Sequence, residues 1–124
     1  MPSNTACPAS KPPDPRLRHE IEQDLALAGS DVKVTFVPRL VPVDQGELLT
    51  CYLETGDDVA AQLREAYADE PFIELVDRPP GMRDVRETNF CRIYAWQDGR
   101  RAIVFAAIDN LWKGTASQAV QCLN

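Results

Sequence analysis

Apolar and polar residues alternate over several short segments of this chain, and this pattern is typical of β-strands. In Val32–Val41, apolar residues alternate with Lys33 and Thr35, which predicts a strand interrupted by its prolines. The segment Glu47–Thr55 is mostly apolar on both faces, so we expect a central strand there. A shorter strand is predicted over Phe72–Val76.

Two further apolar segments are joined by a turn signal. They are Arg92–Gln97 and Arg101–Ile108, and Asp98 and Gly99 lie between them. An Asp-Gly pair favours the type I′ turn of a β-hairpin, in which both central residues need positive φ. Because both faces of Arg101–Ile108 are apolar, we predict that this strand is central and buried.

Helical periodicity predicts two helices, over Arg16–Ala28 and Asp57–Ala68. Gly29 should end the first helix, because glycine readily adopts the left-handed conformation found there. Asp57 or Asp58 should cap the second helix, because a short side-chain oxygen accepts hydrogen bonds from unpaired first-turn N–H groups.

The last segment, Ile108 to Asn124, predicts a helix with two different faces. Asp109 or Asn110 is suited to cap its start. Gly114 costs about 1 kcal/mol relative to alanine inside a helix, so it is either tolerated in a packing helix or marks a close approach to the backbone. The apolar face consists of Ala116, Ala119, Val120 and Leu123, and the polar face of Lys113, Ser117 and Gln121.

Composition excludes several classes of function. A net charge of −6 over 124 residues argues against a nucleic-acid surface, which needs clustered Lys and Arg. No apolar run is long enough to cross a bilayer, and the N-terminus lacks the apolar core of a signal peptide, so we expect a cytoplasmic protein without membrane contact. The four cysteines are far apart and there is one histidine, so we predict free thiols and no metal site.

The domain organisation follows from the same composition. Residues 1–15 are rich in proline and in small polar residues, and we predict a disordered tail because they bury little apolar surface. The remaining residues, 16–124, are enough for one domain.

The chain ends in D-N-L-W-K-G-T-A-S-Q-A-V-Q-C-L-N, which resembles the C-terminal signature of the N-acetyl-gamma-glutamyl-phosphate reductases, relatives of aspartate-semialdehyde dehydrogenase. In that family the corresponding helix returns to the nucleotide-binding domain and faces the nicotinamide end of NADP. The resemblance therefore implies that Asn110, Lys113 and Gly114 bind this cofactor.

Two further segments resemble the family segments that contain catalytic and substrate-binding residues. H-E-I-E-Q resembles a family segment with a catalytic acid/base, so His19 is either that group or an exposed histidine at a helix start. V-T-F-V-P-R-L-V-P-V-D-Q-G resembles a segment beside the substrate, with Arg39 in place of the usual His and Gln45 in place of the usual Arg. Arg39 either binds substrate or is a solvated surface residue.

A third segment, V-R-E-T-N-F-C, also resembles a family motif. Its asparagine, Asn89, either orients the substrate or satisfies a turn. Glu87 stands where the family usually has glycine, and it would be strained if the backbone there needs positive φ.

The resemblance extends over only the second half of a full reductase. The chain has no G-x-G-x-x-G dinucleotide motif, and none of its cysteines lies in the G-C-Y-P-T context of the family nucleophile. The fold implied is α+β, with a mixed, largely antiparallel sheet and helices packed on one face, like the C-terminal domain of the semialdehyde dehydrogenase group. In the family this sheet forms the subunit interface, so we expect a homo-oligomer or a complex with the missing upstream half.

Three functions are compatible with these residues. The first is the C-terminal part of an NADPH-dependent reductase that converts N-acetylglutamyl phosphate to its semialdehyde in arginine biosynthesis, inactive by itself. The second is a non-catalytic module that self-associates or binds a partner, which the residues at positions 39, 45 and 87 favour. The third is a small domain that binds an acidic metabolite through Arg39 and Lys113.

Overall fold

The computed structural model describes residues 15–123, which fall into two compact units separated after Pro42. The predicted tail over residues 1–15 therefore lies, except for Pro15, outside the described residues. The first unit contains helix α1, Pro15–Leu27. Gly29 follows it with φ of 88°, and Ser30 N–H donates to Leu25 at 2.9 Å, so the predicted glycine stop is confirmed.

The strand predicted over Val32–Val41 is wrong, because the structure has no regular secondary structure there. The segment is tied to α1 instead, since Val34 N–H donates to Glu22 Oε1 at 3.0 Å. Alternation predicts which side chains share a face, but a strand also needs a neighbouring strand for its N–H and C=O groups. Pro38 and Pro42 have no N–H to offer to such a partner.

The second unit is built on a four-stranded sheet in the order β1-β4-β3-β2. The two hairpin strands, β3 and β4, pair antiparallel, β4 also pairs antiparallel with β1, and β2 pairs parallel with β3. The sheet is thus mixed and largely antiparallel, as the resemblance implies. The strands are β1 (Glu47–Glu54), β2 (Ile73–Leu75), β3 (Cys91–Asp98) and β4 (Arg101–Ile108).

The position of β4 was predicted correctly and that of β1 was not. β4 lies between two neighbours and is mostly covered, whereas β1 is an edge strand whose residues are nearly all exposed. Apolar residues on both faces predict a strand that is covered above and below. They do not show whether both of its backbone edges are paired, which depends on the other strands.

The hairpin between β3 and β4 is confirmed, but its turn differs from the predicted type. Asp98 pairs with Arg101, so the two loop residues are Gly99 and Arg100. Gly99 has φ of 56°, and Glu87 is the only non-glycine residue with positive φ in the part of the chain that the structure describes. A glycine at the first of two loop positions is the arrangement of a type II′ turn.

Helix α2 (Val59–Ala66) packs on the face of the sheet that carries Gln97. The helix starts at Asp58, whose carboxylate accepts from Ala61 N–H at 2.9 Å, so the predicted cap is confirmed. The side chain of Gln97 on β3 accepts from Val59 N–H at 3.1 Å and so fixes the start of α2 against the sheet. The short helix α3 (Met82–Val85) packs near β4. The buried apolar residues are Val59, Val85, Ile93, Ala102 and Ala107.

The other face of the sheet carries large apolar side chains that remain accessible. Tyr94 and Phe105 stack in the middle of this face, with ring centroids 6.0 Å apart. Toward one end, Trp96 is 44% exposed and Tyr52 is 77% exposed. We call this surface the open face, and the strand register assigns to it Leu48, Thr50, Tyr52, Tyr94, Trp96, Ile103 and Phe105.

Candidate functional site

A buried carboxylate joins four segments where β4 ends. Asp109 is only 1% exposed, and it directly follows β4. Its Oδ1 accepts from the N–H groups of Leu111 and Trp112, both at 3.0 Å, so it pairs backbone groups at the start of the last helix, although the residue in the cap position is Leu111 and not the predicted Asp109 or Asn110. Its Oδ2 accepts from Gln45 Nε2 at 2.7 Å and from Glu87 N–H at 2.8 Å. One side chain thus holds the start of the last helix, the loop before β1 and the loop after α3.

These hydrogen bonds determine the ionisation of Asp109. Burial alone would raise its pKa, because a charged carboxylate is poorly solvated inside a protein. The backbone N–H groups of Glu87, Trp112 and Leu111, together with the Gln45 amide, outweigh burial and hold the pKa below its ordinary value. Asp109 is therefore a charged structural group at neutral pH.

Gln45 stands where the family usually has arginine, and it binds Asp109 through an uncharged amide. One N–H of this amide is donated to the carboxylate of Asp109 and is not available to a ligand. The next residue, Gly46, has φ of 117° and donates its N–H to Asn110 Oδ1 at 2.7 Å. The loop before β1 is thus bound to Asp109 and Asn110 together. Gln45 therefore helps to hold the loop before β1 in place. Asn110, which was predicted to bind the cofactor, uses its side-chain oxygen to hold the same loop.

Glu87, which stands where the family usually has glycine, has the positive φ that would strain any residue other than glycine. Its φ is 57°, in the left-handed region where a β-carbon is strained. The side chain is exposed, and the backbone N–H is committed to Asp109. The contact with Asp109 needs this backbone position, so the strain is held in place by the buried carboxylate.

Replacing Glu87 by glycine should raise the free energy of unfolding by up to about 1 kcal/mol. Glycine removes the left-handed strain and keeps the N–H that Asp109 needs, and its greater freedom in the unfolded chain offsets part of the gain. Urea unfolding followed by circular dichroism would measure the change. Glu87→Ala is the matched control, since it loses the same side chain but keeps the β-carbon. Equal stabilities of the two variants would contradict the explanation.

The last helix exposes its apolar face and partly buries its polar face. It begins with a π-helical turn, Trp112–Ala116, and continues directly as α4, Ser117–Gln121. We call residues 112–121 the tail helix. The predicted apolar face is largely exposed, with Val120 59% exposed and Leu123, just beyond the helix, 86% exposed. The polar residues Lys113, Ser117 and Gln121 are half-buried, as is Gln118.

Polar contacts replace apolar packing on the inner side of the tail helix. Lys113 Nζ donates to Gln121 Oε1 at 2.7 Å and lies 5.4 Å from the ring centroid of Phe72. Asn89 Nδ2 donates to the same Gln121 oxygen at 3.1 Å. A buried hydrogen-bond network can hold a helix in one orientation, because each polar group needs its own partner. The outer apolar face is then left without cover from residues 43–123.

A cavity of about 500 Å³ lies beside the tail helix. Its walls are mainly apolar, with a few polar side chains among them, as is usual for small-molecule sites. The Oδ1 atom of Asn89, one of the lining residues, is buried and has no hydrogen-bond partner among the described residues. We call this space the tail-helix cavity, and it is lined by Phe72, Asn89, Leu111, Trp112, Ala116, Ser117, Val120 and Gln121.

The structure brings some of the predicted site residues together and leaves others elsewhere. Asn89 and Lys113 share Gln121, and a β-carbon at Gly114 would lie 3.8 Å from the β-carbon of Asn110. His19 and Arg39 are exposed residues of the first unit. Their roles in catalysis and in substrate binding stay predictions, as do those of Asn89, Asn110, Lys113 and Gly114 in binding.

Two features of the site were missed by the sequence analysis. The second role of Asp109, in binding Gln45 and Glu87, depends on residues 64 and 22 positions away. Gln121 was predicted to lie on a polar face, but its hydrogen bonds to Lys113 and Asn89 were not predicted. The only local indication of the contact with Lys113 was the spacing of eight residues. The structure shows no group of side chains suited to a metal ion between residues 15 and 123. In the same region no helix is long and apolar enough to cross a membrane.

A contiguous accessible apolar surface such as the open face is a common sign of a site where proteins associate. A family model described as the semialdehyde dehydrogenase dimerisation domain matches residues 12–110. The chain belongs to this family. A solved structure of aspartate semialdehyde dehydrogenase II from Vibrio cholerae, complexed with ASA, is similar with a TM-score of 0.52 and 27% identity, over 65% of this chain and 26% of that one.

Several similar curated proteins are N-acetyl-gamma-glutamyl-phosphate reductases. The chain is 50% identical over 114 residues to the reductase of Halorhodospira halophila, covering 85% of this chain and 33% of the relative. It is 43% identical over 118 residues to that of Dehalococcoides mccartyi, covering 88% and 35%. The match to Geobacter metallireducens is 47% over 115 residues, covering 85% and 33%. The chain thus spans about one third of the length of these relatives.

Proposed function

We propose that this chain is the C-terminal dimerisation and substrate part of an N-acetyl-gamma-glutamyl-phosphate reductase. That enzyme reduces N-acetylglutamyl phosphate to N-acetylglutamate semialdehyde with NADPH, a step of arginine biosynthesis. The observation that carries the proposal is the combination of the family match over residues 12–110 with reductase relatives of 43–50% identity. The tail-helix cavity, with its apolar walls and its unpaired Asn89 oxygen, supports a ligand-facing role for this end of the domain.

The residues at this end fit one wall of a cofactor site. Gly114 is exposed, and its missing β-carbon lets another group approach the backbone of the tail helix closely. Lys113 provides a cation that is held near Phe72. When bound, NADPH would supply the hydride. In this proposal the chain contributes binding and orientation through Lys113, Gly114 and Asn110, with Asn89 toward the substrate.

Reduction of an acyl phosphate through a thioester also needs a reactive thiolate. Burial raises the pKa of the Cys51 thiol. Burial likewise raises the pKa of Cys91, although the charge of Lys113 acts in the opposite direction. Both cysteines lie in strands and resemble inert core thiols. We therefore propose that the nucleophile and the dinucleotide cradle belong to the other two thirds of the relatives' length.

The 124-residue polypeptide alone should show no NADPH-dependent reductase activity. Mixing it with a polypeptide that corresponds to the upstream part of the relatives should restore turnover of N-acetylglutamyl phosphate, measured by the absorbance of NADPH. A control mixture would use an upstream polypeptide with its nucleophilic cysteine replaced by alanine. Turnover by the 124 residues alone, or folded upstream polypeptide that stays inactive with and without them, would refute this function.

The open face and the outer side of the tail helix suggest two different contacts. We propose that the open face joins two copies of the chain, in keeping with a dimerisation domain. Apolar residues in the middle of a sheet face, surrounded by polar ones, are typical of interfaces between subunits. The exposed apolar residue at the end of the tail helix, Leu123, which is 86% exposed, would then contact the upstream polypeptide.

A non-catalytic module is the second candidate. The observation that favours it is that Gln45 is bound to Asp109 inside the fold and that Arg39 is exposed, so the two departures from the family pattern show no built anion site. Such a module would keep the open face and self-associate, or bind a full-length reductase. It would form the same complex with the upstream polypeptide without restoring turnover.

A further inference from the structure

Gln121 holds two side chains of the proposed site through a single oxygen atom. Its Oε1 accepts a hydrogen bond from Lys113 Nζ at 2.7 Å and another from Asn89 Nδ2 at 3.1 Å. All three side chains are half-buried, so water competes less for these bonds than it does at the surface. The three residues come from two separate segments, and Gln121 is the only one that contacts both of the others through hydrogen bonds in the described part of the chain.

The ammonium group of Lys113 decides which way both amides point. An ammonium group only donates hydrogen bonds, so the Gln121 atom that faces it has to be the carbonyl oxygen. That oxygen in turn requires a donor from Asn89, which places the NH₂ end of Asn89 toward Gln121. The carbonyl oxygen of Asn89 is then left on the other side of the amide. It is buried, and no residue between 15 and 123 donates to it.

A buried acceptor without a donor is uncommon in folded proteins and needs an explanation, such as a water, an ion or a ligand that donates to it. The neighbouring walls of the tail-helix cavity include the rings of Phe72 and Trp112 and the side chain of Val120. An anionic group would be repelled by a carbonyl oxygen, whereas a group with an N–H would bond to it. The chemistry of this wall therefore suits a flat group that donates an N–H.

We infer that Gln121 is a positioning residue. Oriented by Lys113, it fixes Asn89 so that the carbonyl oxygen of Asn89 receives an amide N–H of a ligand that enters the tail-helix cavity. This inference rests on the proposed function, because it assigns a ligand chemistry to the same site. It adds a role for Gln121 and a requirement for an N–H donor.

The first experiment tests the orientation of Asn89 by NMR on the full chain labelled with ¹⁵N. The side-chain NH₂ signals of Asn89 should stay away from free-amide values in Gln121→Glu, whose carboxylate still accepts from both partners. They should move to the values of a free amide in Gln121→Leu. Gln118→Leu is the matched control, because the side-chain hydrogen bond of Gln118 goes to Cys122 and not to Asn89 or Lys113. Unchanged Asn89 signals in Gln121→Leu would overturn the inference.

The second experiment tests the donor requirement with two fragments of the same shape. Benzamide carries an NH₂ where acetophenone carries a methyl group, and both are small enough for the cavity. Titration of the labelled chain should show benzamide binding roughly three- to tenfold more tightly, which is the usual effect of one hydrogen bond. The preference should persist in Gln121→Glu and disappear in Gln121→Leu. Equal affinities in the native chain, or no binding of either fragment, would overturn the inference.

The two proposals fail in different ways. If the upstream polypeptide restores no turnover while the benzamide preference and the Asn89 signals behave as expected, the reductase function fails and the role of Gln121 stands. If turnover is restored but Gln121→Leu leaves Asn89 and the fragment preference unchanged, the role of Gln121 fails and the reductase function stands.

Discussion

Replacing Asp109 by asparagine is expected to lower the free energy of unfolding by about 3 kcal/mol or more. The carboxylate accepts four hydrogen bonds, three of them from backbone N–H groups, and it is almost fully buried. An asparagine has one accepting oxygen, and its NH₂ would face the donors of Gln45 and Glu87. Losing charge-assisted bonds and leaving buried donors unpaired are each costly, so this is a large effect for one substitution.

Denaturant unfolding would measure the loss, and Asp58→Asn is the matched control. Asp58 caps α2 with one exposed hydrogen bond, and asparagine caps helices about as well, so little change is expected there. Because the pKa of Asp109 is lowered in the folded chain, its contribution should be complete above the pKa of an unfolded aspartate, about 4. It should be lost as the pH falls through the folded pKa. Equal losses for the two variants, or a difference that does not shrink in acid, would contradict this role.

Replacing Trp96 by glutamate should separate the proposed dimer. Trp96 lies on the open face beside Ile103, where the strand register also places Tyr52. Removing a hot-spot aromatic residue from an interface costs about 2 kcal/mol or more, and a dimer contains the substitution twice. The dissociation constant should therefore rise by roughly a thousandfold. Sedimentation over a range of concentrations would measure it.

The control for this prediction is Leu123→Glu, which makes the same kind of change on a different surface. Leu123 is 86% exposed at the end of the tail helix, so the dimer should be preserved. Both variants should unfold cooperatively, because neither side chain belongs to the buried core. A dimer that survives Trp96→Glu would show that the copies do not meet through the open face. A native chain that is monomeric would contradict the proposed dimer itself.

The elements that sequence analysis located correctly are those with local causes. A helix stop at Gly29, a cap at Asp58 and the hairpin around Gly99 depend on backbone preferences of one or two residues. The motif at the C-terminus likewise indicated the family, which the comparisons confirm over most of the chain. Even there the turn type was wrong, because it depends on the exact loop residues that the strand pairing selects.

The elements that were wrong depend on partners far away in the chain. Val32–Val41 has the side-chain pattern of a strand but no partner for its backbone, and β1 has the apolar content of a central strand but lies at an edge. The faces of the tail helix were listed correctly from their spacing. Which face turned inward was decided by Asn89 and Phe72, which no periodicity within residues 108–124 can reveal.

The sequence by itself therefore determined the types of most elements, the caps and turns between them and the family. Only the tertiary structure decided the order of strands, the burial of Asp109 and the inward turn of Lys113 and Gln121. The physical reason is that local preferences act between neighbours along the chain. Burial and hydrogen bonding of a charged or amide side chain depend on donors and acceptors that only the folded chain brings within about 3 Å.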